Sequence, residues 1–288
     1  MTVFFTVRSY KTKMPGSSLP EYLVIASNTG HGSDNKIHDD EIAQKFGFTG
    51  ALVPGVDVYA YMAHAPVLHW GRKWLEHGYM HVRLAKPVYE DDKTYVTGSL
   101  GSKGRMFVEA NARGEICGVG EAMLEAPRAA SQTKIEKTFM PEADQRSAAS
   151  QFTLSTNTVL GARDDEPAAS GHDDYLASVH ESLGIYRDQG LVHPGYILRR
   201  ANLILRENVV LGPWIHVESW IWNLRALGVD EPFTTRAVVT DNFDRKGHLF
   251  VDLDVLVAAR DTEPVTRVSH RSIYVPRQLR ENVSLDDR

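Results

Sequence analysis

Alternation of apolar and polar residues predicts several β-strands along the chain. The clearest case is residues 249–255, whose sequence LFVDLDV alternates as expected for a strand with one solvent-facing side. Gly104 and Gly247 precede strand-like segments, where hairpin turns favour glycine because it adopts a positive φ. The same pattern predicts further strands at 79–85, 94–100, 214–223, 234–241 and 266–275.

Two other segments carry apolar residues at helical spacing. The first predicted helix spans 53–65, and we expect Pro66 to end or kink it because proline lacks the N–H that a helix interior needs. The second predicted helix spans 195–207. Each helix has one apolar stripe, formed by Val56, Tyr59, Met62 and Ala65 in the first and by Ile197, Ala201, Ile204 and Leu205 in the second.

Three short sequence matches indicate that the chain is internally duplicated. Residues 103–108 (KGRMFV) match 246–251 (KGHLFV) at an offset of 143, from 246 − 103. Residues 52–62 match 192–202 at an offset of 140, with a Pro-Gly pair at the same place in each. A Pro-Arg pair at 127–128 recurs further along, at 276–277. Because the matches fall in the same order, they favour a repeat over chance.

The repeat divides the chain into three predicted parts. Residues 1–127 form the first repeat, 128–150 form a polar linker rich in Ala and Ser, and 151–288 form the second repeat. Each repeat contains one long helix and several antiparallel strands. The predicted fold class is therefore α+β.

The amino-acid composition argues against some classes of protein. Of the 288 residues, 42% are hydrophobic and 24% are charged, which is an ordinary globular balance. The net charge of −5 argues against a general nucleic-acid binder. Cys117 is the single cysteine and cannot form an internal disulfide, so we expect a cytoplasmic location. No apolar run approaches the roughly 20 residues that span a bilayer, and no signal peptide is evident, so no membrane association is expected.

Residues 32–38 (GSDNKIH) and 47–55 (GFTGALVPG) carry a family resemblance. This stretch resembles the MaoC-like, or R-specific enoyl-CoA hydratase, family, which has a GDxNPxH motif and then a GFxGPIVHG entry to a long helix. The resemblance covers residues 20–100 well, including 84–96 (LAKPVYEDDKTYV), and residues 190–275 only as a degenerate second copy. It implies a double hotdog fold, in which each repeat wraps an antiparallel sheet around a long central helix.

The chain departs from the family motif at its catalytic acid. Ser33 stands where the family has its aspartate, five residues before His38, and Asp34 is one residue nearer to the histidine. Lys36 replaces the family's proline, whereas Asn35 and His38 keep their places. The hypothesis is that a loop rearrangement brings Asp34 into the catalytic position.

The resemblance implies acid/base chemistry through an activated water. In the family, an aspartate and a histidine bind one water, which adds across an enoyl thioester. Asp34 and His38 are the catalytic candidates, and Ser33 and Asn35 are supporting or water-orienting candidates. A carboxylate and an imidazole suit this task because their ordinary pKa values lie on either side of a useful range, and burial would raise the pKa of the carboxylate.

The developing enolate oxygen needs backbone N–H donors. Gly55 opens the first predicted helix, where free N–H groups and the helix dipole favour negative charge. The resemblance points to the same glycine. The candidate residues for the oxyanion and the substrate are therefore Gly55, Pro54, Val53, Phe48 and Gly50.

Other chemistry-bearing residues have simpler interpretations. His81 and His216 lie in strand-like segments, and we expect structural roles for both. His193 beside the second Pro-Gly pair is expected to pack or to border a pocket. No metal is expected, because HExxH, HxxEH and CxxC spacings are missing from the sequence.

The sequence thus predicts a hydro-lyase, namely an enoyl-thioester hydratase or 3-hydroxyacyl-thioester dehydratase. Its substrate would be an acyl-CoA or an acyl carrier protein thioester, with no cofactor, and the chain would be a homodimer. Two alternatives stay open: a hotdog thioesterase or lyase with altered chemistry, and a non-catalytic acyl-binding subunit of a hetero-oligomeric hydratase.

Overall fold

The structure is a computed structural model that describes residues 17–125 and 133–280. Its strands are β1 (Tyr22–Ile25), β2 (Tyr79–Leu84), β3 (Lys93–Leu100), β4 (Arg105–Ala112), β5 (Glu115–Met123), β6 (Ser147–Ala148), β7 (Val159–Asp165), β8 (Val209–Val210), β9 (Ile215–Asn223), β10 (Phe233–Arg245), β11 (His248–Ala259) and β12 (Glu263–Val275). Its helices are α1 (Asp40–Lys45), α2 (Gly55–Trp70), α3 (Arg72–His77), α4 (His172–Ser178), α5 (Ile185–Asp188) and α6 (Pro194–Asn208). Short 3-10 turns occur at Lys36–His38, Ser102–Gly104 and Ala143–Gln145.

Ten strands form one continuous antiparallel sheet in the order β1-β3-β4-β5-β2-β9-β12-β11-β10-β7. Counted outward from the middle of the sheet, the order is β2-β5-β4-β3-β1 in the first half and β9-β12-β11-β10-β7 in the second half. Corresponding strands therefore occupy corresponding places in the two halves. The halves join where β2 pairs with β9, with Tyr79 opposite Trp222 and Arg83 opposite Glu218. A separate two-stranded parallel sheet pairs β6 with β8. The chain therefore has the α+β double hotdog fold that the sequence predicted.

Helix α2 is the central helix of the first half. All residues from Val56 to Val67 are buried, because the sheet and helices α3 and α6 pack against α2. Pro66 does not end the helix near residue 65, because α2 continues to Trp70. Burial of so much apolar surface outweighs the roughly 3 kcal/mol that an interior proline costs. Gly71, with a φ of 59°, lies at the actual end.

Helix α6 crosses α2 in the opposite direction. A Cβ on Gly195 would lie 2.6 Å from Ala60 Cβ, so the two backbones touch at the start of α6. Arg199, one turn further along α6 than Gly195, forms an ion pair of 2.8 Å with Asp57. Asp57 lies one turn nearer the start of α2 than Ala60, so the two helices run in opposite directions. Asn202 is on the next turn of α6 after Arg199, so it lies beside the N-terminus of α2. Both halves therefore contribute residues around that N-terminus.

The turn prediction at the paired glycines is confirmed, since Gly104 and Gly247 have φ of 68° and 82°. The sequence match at 127–128, the boundary placed at 127 and the chain after residue 280 lie outside the described residues. Within the described ranges, every helix is too short or too polar to span a membrane.

Candidate active site

A mostly apolar cleft opens at the N-terminus of α2, between the two halves of the molecule. Its polar side chains are few, and none of the described residues that line it is Asp or Glu. The first half contributes Asn35, Ile37, His38, Phe46, Phe48, Leu52, Val53, Pro54, Gly55, Val58, Leu84, Ala85, Lys86, Pro87 and Val88. The second half contributes Asn202, Trp214, Ile215, His216, Val217, His248, Ile273, Pro276 and Gln278.

His38 is held in one orientation by the backbone that leads into α2. Its Nδ1 lies 2.6 Å from the carbonyl oxygen of Leu52. A carbonyl only accepts hydrogen bonds, so Nδ1 carries the proton and Nε2 is the unprotonated nitrogen. Burial lowers the pKa of His38 below its usual value, although the Leu52 carbonyl and two nearby carboxylates oppose the shift. The imidazole is therefore neutral at pH 7, and its Nε2 is available as a base.

Asn35 connects His38 to the second half of the chain. Its Oδ1 accepts from the backbone N–H of Trp214 at 3.2 Å, and its Nδ2 donates to the Trp214 carbonyl at 3.0 Å. The same Nδ2 lies 3.4 Å from His38 Nε2. Oδ1 also accepts from the N–H of Ile37, so Asn35 caps the short turn that carries the histidine. The side chain of Asn35 is buried, which makes this connection between the halves rigid.

Gly55 presents a free helix N-terminus to the cleft. The first N–H groups of a helix have no partner inside the helix. A Cβ on Gly55 would lie 3.0 Å from His216 Nδ1 and would overlap the end of the Leu84 side chain. The two side chains therefore approach Gly55 closely, and the backbone of Gly55 faces the cleft directly.

Three more of the predicted substrate-binding residues, Phe48, Val53 and Pro54, also line the cleft. Gly50 does not. It belongs to a turn in which Asp40 Oδ1 accepts from the N–H of Ala51 at 2.7 Å. The structure therefore brings four of the five predicted residues, including Gly55, to the cleft.

The structure does not bring Asp34 to His38. The side chain of Asp34 is exposed and does not line the cleft, because it falls on the outer side of the loop before the Lys36–His38 turn. Ser33 is partly buried and its Oγ has no hydrogen-bond partner, but it does not line the cleft either. Of the four motif residues singled out in the sequence, only Asn35 and His38 reach the site.

His216 is the residue that sequence reasoning missed. We expected it to be structural, but it lines the cleft, and its buried Nδ1 has no partner in the protein. Its Nε2 lies 2.9 Å from Ser219 Oγ, which lies 2.9 Å from His270 Nδ1. Between β9 and β12 the register shifts at Val217, and this bulge reorients the strand locally. The pattern of apolar residues along a strand does not record a bulge, so the sequence contained no signal that His216 faces the cleft.

The equivalent position in the second half is closed. The N–H of Gly195 donates to His193 Nδ1 at 3.0 Å, and the Tyr175 hydroxyl occupies the space beside Gly195. His193 is fully buried and its own N–H donates to His172 Nε2 at 2.9 Å. His172 is thus part of a buried structural network. Of the two long helices, α2 has an open N-terminus and α6 has a closed one.

The described ranges contain no group of three or more His, Cys, Asp or Glu side chains arranged to hold a metal ion. The arrangement in the cleft instead combines a neutral imidazole base, a helix N-terminus and an apolar lining. Such a site can activate a water beside a bound carbonyl compound.

Solved structures that share this fold include proteins named as MaoC-like dehydratases and one described as a double hotdog protein. A protein named as a MaoC domain dehydratase from Chloroflexus aurantiacus J-10-fl has a TM-score of 0.60 at 11% identity, covering 91% of this chain and 95% of its own. Rv0216 from Mycobacterium tuberculosis, described as a double hotdog protein, has a TM-score of 0.60 at 14% identity, covering 90% and 96%. A protein named as an oleoyl thioesterase from Lactobacillus plantarum has a TM-score of 0.50 at 10% identity, covering 91% and 96%. No family model and no curated protein matches the sequence.

Proposed function

We propose that this protein is an enoyl-thioester hydratase or, in reverse, a 3-hydroxyacyl-thioester dehydratase, a hydro-lyase that acts on an acyl-CoA or acyl carrier protein thioester. The observation that carries the proposal is the setting of His38. The Leu52 carbonyl fixes its protonated nitrogen, and its unprotonated nitrogen lies beside the Asn35 amide in an apolar cleft at the open N-terminus of α2. A base beside an oxyanion-binding site is the minimum that hydration of an enoyl thioester needs.

In the proposed reaction, Nε2 of His38 removes a proton from water while the water oxygen forms a bond to the β-carbon. The electron pair of the C=C bond moves onto the thioester oxygen, where the N–H of Gly55 stabilises the enolate. The imidazolium then returns the proton to the α-carbon, so that His38 is regenerated. Asn35 orients the water and the imidazole, because its amide is fixed by Trp214. The proposal requires no cofactor and no carboxylate.

A hydration assay tests the proposal. A panel of short, long, branched and aromatic enoyl-CoA esters is monitored by the loss of conjugated thioester absorbance. We expect one ester class to react with the wild type, and His38→Ala to lower kcat/KM by at least about a hundredfold. Turnover by the His38→Ala variant at the wild-type rate would contradict the proposal.

A thioesterase is the second candidate function. It is favoured by the lining of the cleft, which offers a histidine but, among the described residues, no carboxylate of the kind the hydratase motif carries. The same His38-activated water would then attack the thioester carbonyl and release CoA. A thiol-release assay on the same esters separates the two reactions. A chain that binds acyl-CoA but performs neither reaction would be the non-catalytic subunit. The homodimer and the cytoplasmic location stay predictions.

A further inference from the structure

We infer that His216 is a second oxyanion donor, which binds the thioester carbonyl together with the backbone of Gly55. The inference rests on the proposed thioester chemistry. His216 comes from β9, in the half of the chain whose own helix N-terminus is closed. The second half would therefore contribute directly to the single working site.

The distances allow one oxygen to contact both groups. His216 Nδ1 lies 3.0 Å from the position that a Cβ on Gly55 would occupy. With standard bond lengths and angles, that position is about 2.5 Å from the nitrogen of Gly55, so the two nitrogens are at most about 5.5 Å apart. Two hydrogen bonds of about 2.9 Å to a shared oxygen span up to about 5.8 Å, so a carbonyl oxygen between the donors is within reach of both.

The hydrogen-bond chain behind His216 favours a proton on Nδ1. If Ser219 Oγ–H donates to His216 Nε2, then His270 Nδ1–H donates to Ser219 and His270 Nε2 is left as an acceptor. The opposite arrangement leaves His270 Nε2 as an N–H donor, buried and without a partner. Each arrangement leaves one N–H without a partner among the described residues. In the first arrangement that N–H belongs to His216, which lines the cleft, where a ligand oxygen can accept from it, whereas His270 does not line the cleft. The first arrangement is therefore preferred, because a buried donor needs an acceptor. It leaves an N–H on His216 that faces the cleft and awaits an acceptor from the substrate.

Burial keeps this imidazole neutral. It lowers the pKa of His216 to about 3 and that of His270 far below its usual value. A neutral N–H donor polarises a carbonyl without giving up its proton, because the enolate is too weak a base to remove it. His216 and His38 then have different tasks: His38 moves the proton, and His216 holds the oxygen.

Two substitutions separate the role of Nδ1 from that of Nε2. In His216→Asn the side-chain amide can take the place of Nδ1 and keep a donor toward the cleft. In His216→Gln the amide can take the place of Nε2, keep the bond to Ser219 and lose the donor. We expect His216→Gln to lower kcat by about 10²–10³ with little change in KM, and His216→Asn to retain activity within about tenfold of wild type.

A spectroscopic measurement on bound, unreactive thioesters tests this inference separately from the proposed function. Saturated butyryl-CoA and hexanoyl-CoA, labelled with ¹³C at the thioester carbonyl, are bound to wild type and both variants and measured by infrared difference spectroscopy. We expect the carbonyl stretch to shift to lower frequency in wild type and in His216→Asn, and the shift to shrink in His216→Gln. Circular dichroism of the variants confirms that each is folded.

Each outcome of the infrared measurement supports or overturns the inference. A shift that is lost only in His216→Gln supports the inference, even if wild type hydrates no ester and the proposed function fails. A shift of equal size in all three proteins overturns the inference while leaving the hydratase proposal intact. Failure of wild type to bind either labelled thioester overturns the inference as well.

Discussion

The behaviour of His38 is set by two contacts. The carbonyl of Leu52 holds its Nδ1, and the amide of Asn35 lies beside its Nε2. Together they fix the tautomer and the ring orientation, while burial lowers the pKa. These contacts follow from local sequence, because Asn35 precedes the histidine by one turn and Leu52 precedes the Pro-Gly pair. Asn35 and His38 could therefore be singled out from the sequence, whereas the role of the Leu52 carbonyl emerged only from the structure.

The pH dependence of hydration follows from the direction of this pKa shift. His38 must be unprotonated to accept a proton from water, so kcat/KM should be flat near neutrality and fall about tenfold per pH unit below the pKa of His38. Because burial lowers that pKa, the midpoint of the acid limb should lie below 6.5. Steady-state rates between pH 4.5 and 8.5 measure it. A midpoint above 6.5 would contradict the role given to His38.

Asp34 provides the matched control in the same motif. Its side chain is exposed and lies outside the cleft, so Asp34→Ala should leave kcat/KM within about twofold of wild type and leave the acid limb unmoved. The variant is assayed beside His38→Ala with the same ester. A large loss in Asp34→Ala would mean that the loop rearranges when substrate binds. The position of Asp34 was not predictable, because one residue more or less in a loop changes which side chain points inward.

At the scale of elements, the two long helices share a Pro-Gly start but differ in what surrounds it. Gly55 faces an open cleft, and Gly195 faces Tyr175 and the backbone of Ala60. The spacing of apolar residues predicted both helices to within a few residues at their starts. The spacing predicted too early an end for α2, because burial allows the helix to continue past Pro66. It also did not predict the bulge beside His216. Both failures arise from packing between elements that are distant in sequence.

A pair of glycine substitutions tests this difference. Gly55→Ala places a methyl group against His216 and Leu84, whose side-chain ends can move, so stability should fall by less than about 1 kcal/mol while kcat falls at least tenfold. Gly195→Ala places a methyl group against Ala60 at the helix crossing, so stability should fall by about 1–3 kcal/mol while kcat is retained. Urea denaturation and the hydration assay measure both quantities. Equal effects of the two substitutions would show that the two helix starts are equivalent.

At the scale of the whole molecule, the halves meet along β2 and β9 and again at the site. The collinear repeats predicted two similar halves, and the sheet order shows five strands from each. The sequence carried no signal of how the halves face each other. That arrangement places Trp214 and His216 beside the N-terminal motif, and it arises only from the three-dimensional assembly.

Asn35 is the side chain through which the halves are joined at the site. Asn35→Ala leaves the N–H and the carbonyl of Trp214 without partners, so the free energy of unfolding should fall by about 2–4 kcal/mol. Lys36→Ala is the control, because the Lys36 side chain is exposed and its removal should change stability by less than about 0.5 kcal/mol. Urea denaturation of both variants at pH 7.5 provides the comparison. A loss below about 1 kcal/mol in Asn35→Ala would show that water replaces the amide.

Buried histidines make stability depend on pH. His216 has a pKa of about 3 in the fold and about 6.5 in the unfolded chain, so below pH 6.5 unfolding takes up one proton there. Its contribution is therefore present above pH 6.5 and is lost as the pH falls, at about 1.4 kcal/mol per pH unit. His172, whose pKa burial lowers to about 4, adds a similar slope over a narrower range.

His216→Asn should flatten the slope of unfolding free energy against pH by about 1.4 kcal/mol per unit between pH 6 and 4.5. Urea denaturation at several pH values measures the slope for wild type and variant. An unchanged slope would show that His216 is already protonated in the folded protein.

The hydrogen bonds between Asn35 and Trp214 also have a consequence for a severed chain. Residues 142–145 are exposed and lie between the two halves, so the polypeptide can be divided there without cutting the large sheet. The N-terminal fragment would keep the base, and the C-terminal fragment would keep the main chain that orients it. Neither piece would turn over substrate by itself, and catalysis would return only on reassembly. The protein would then act as a complementation reporter, in which enzymatic rate measures the meeting of two fragments fused to other proteins.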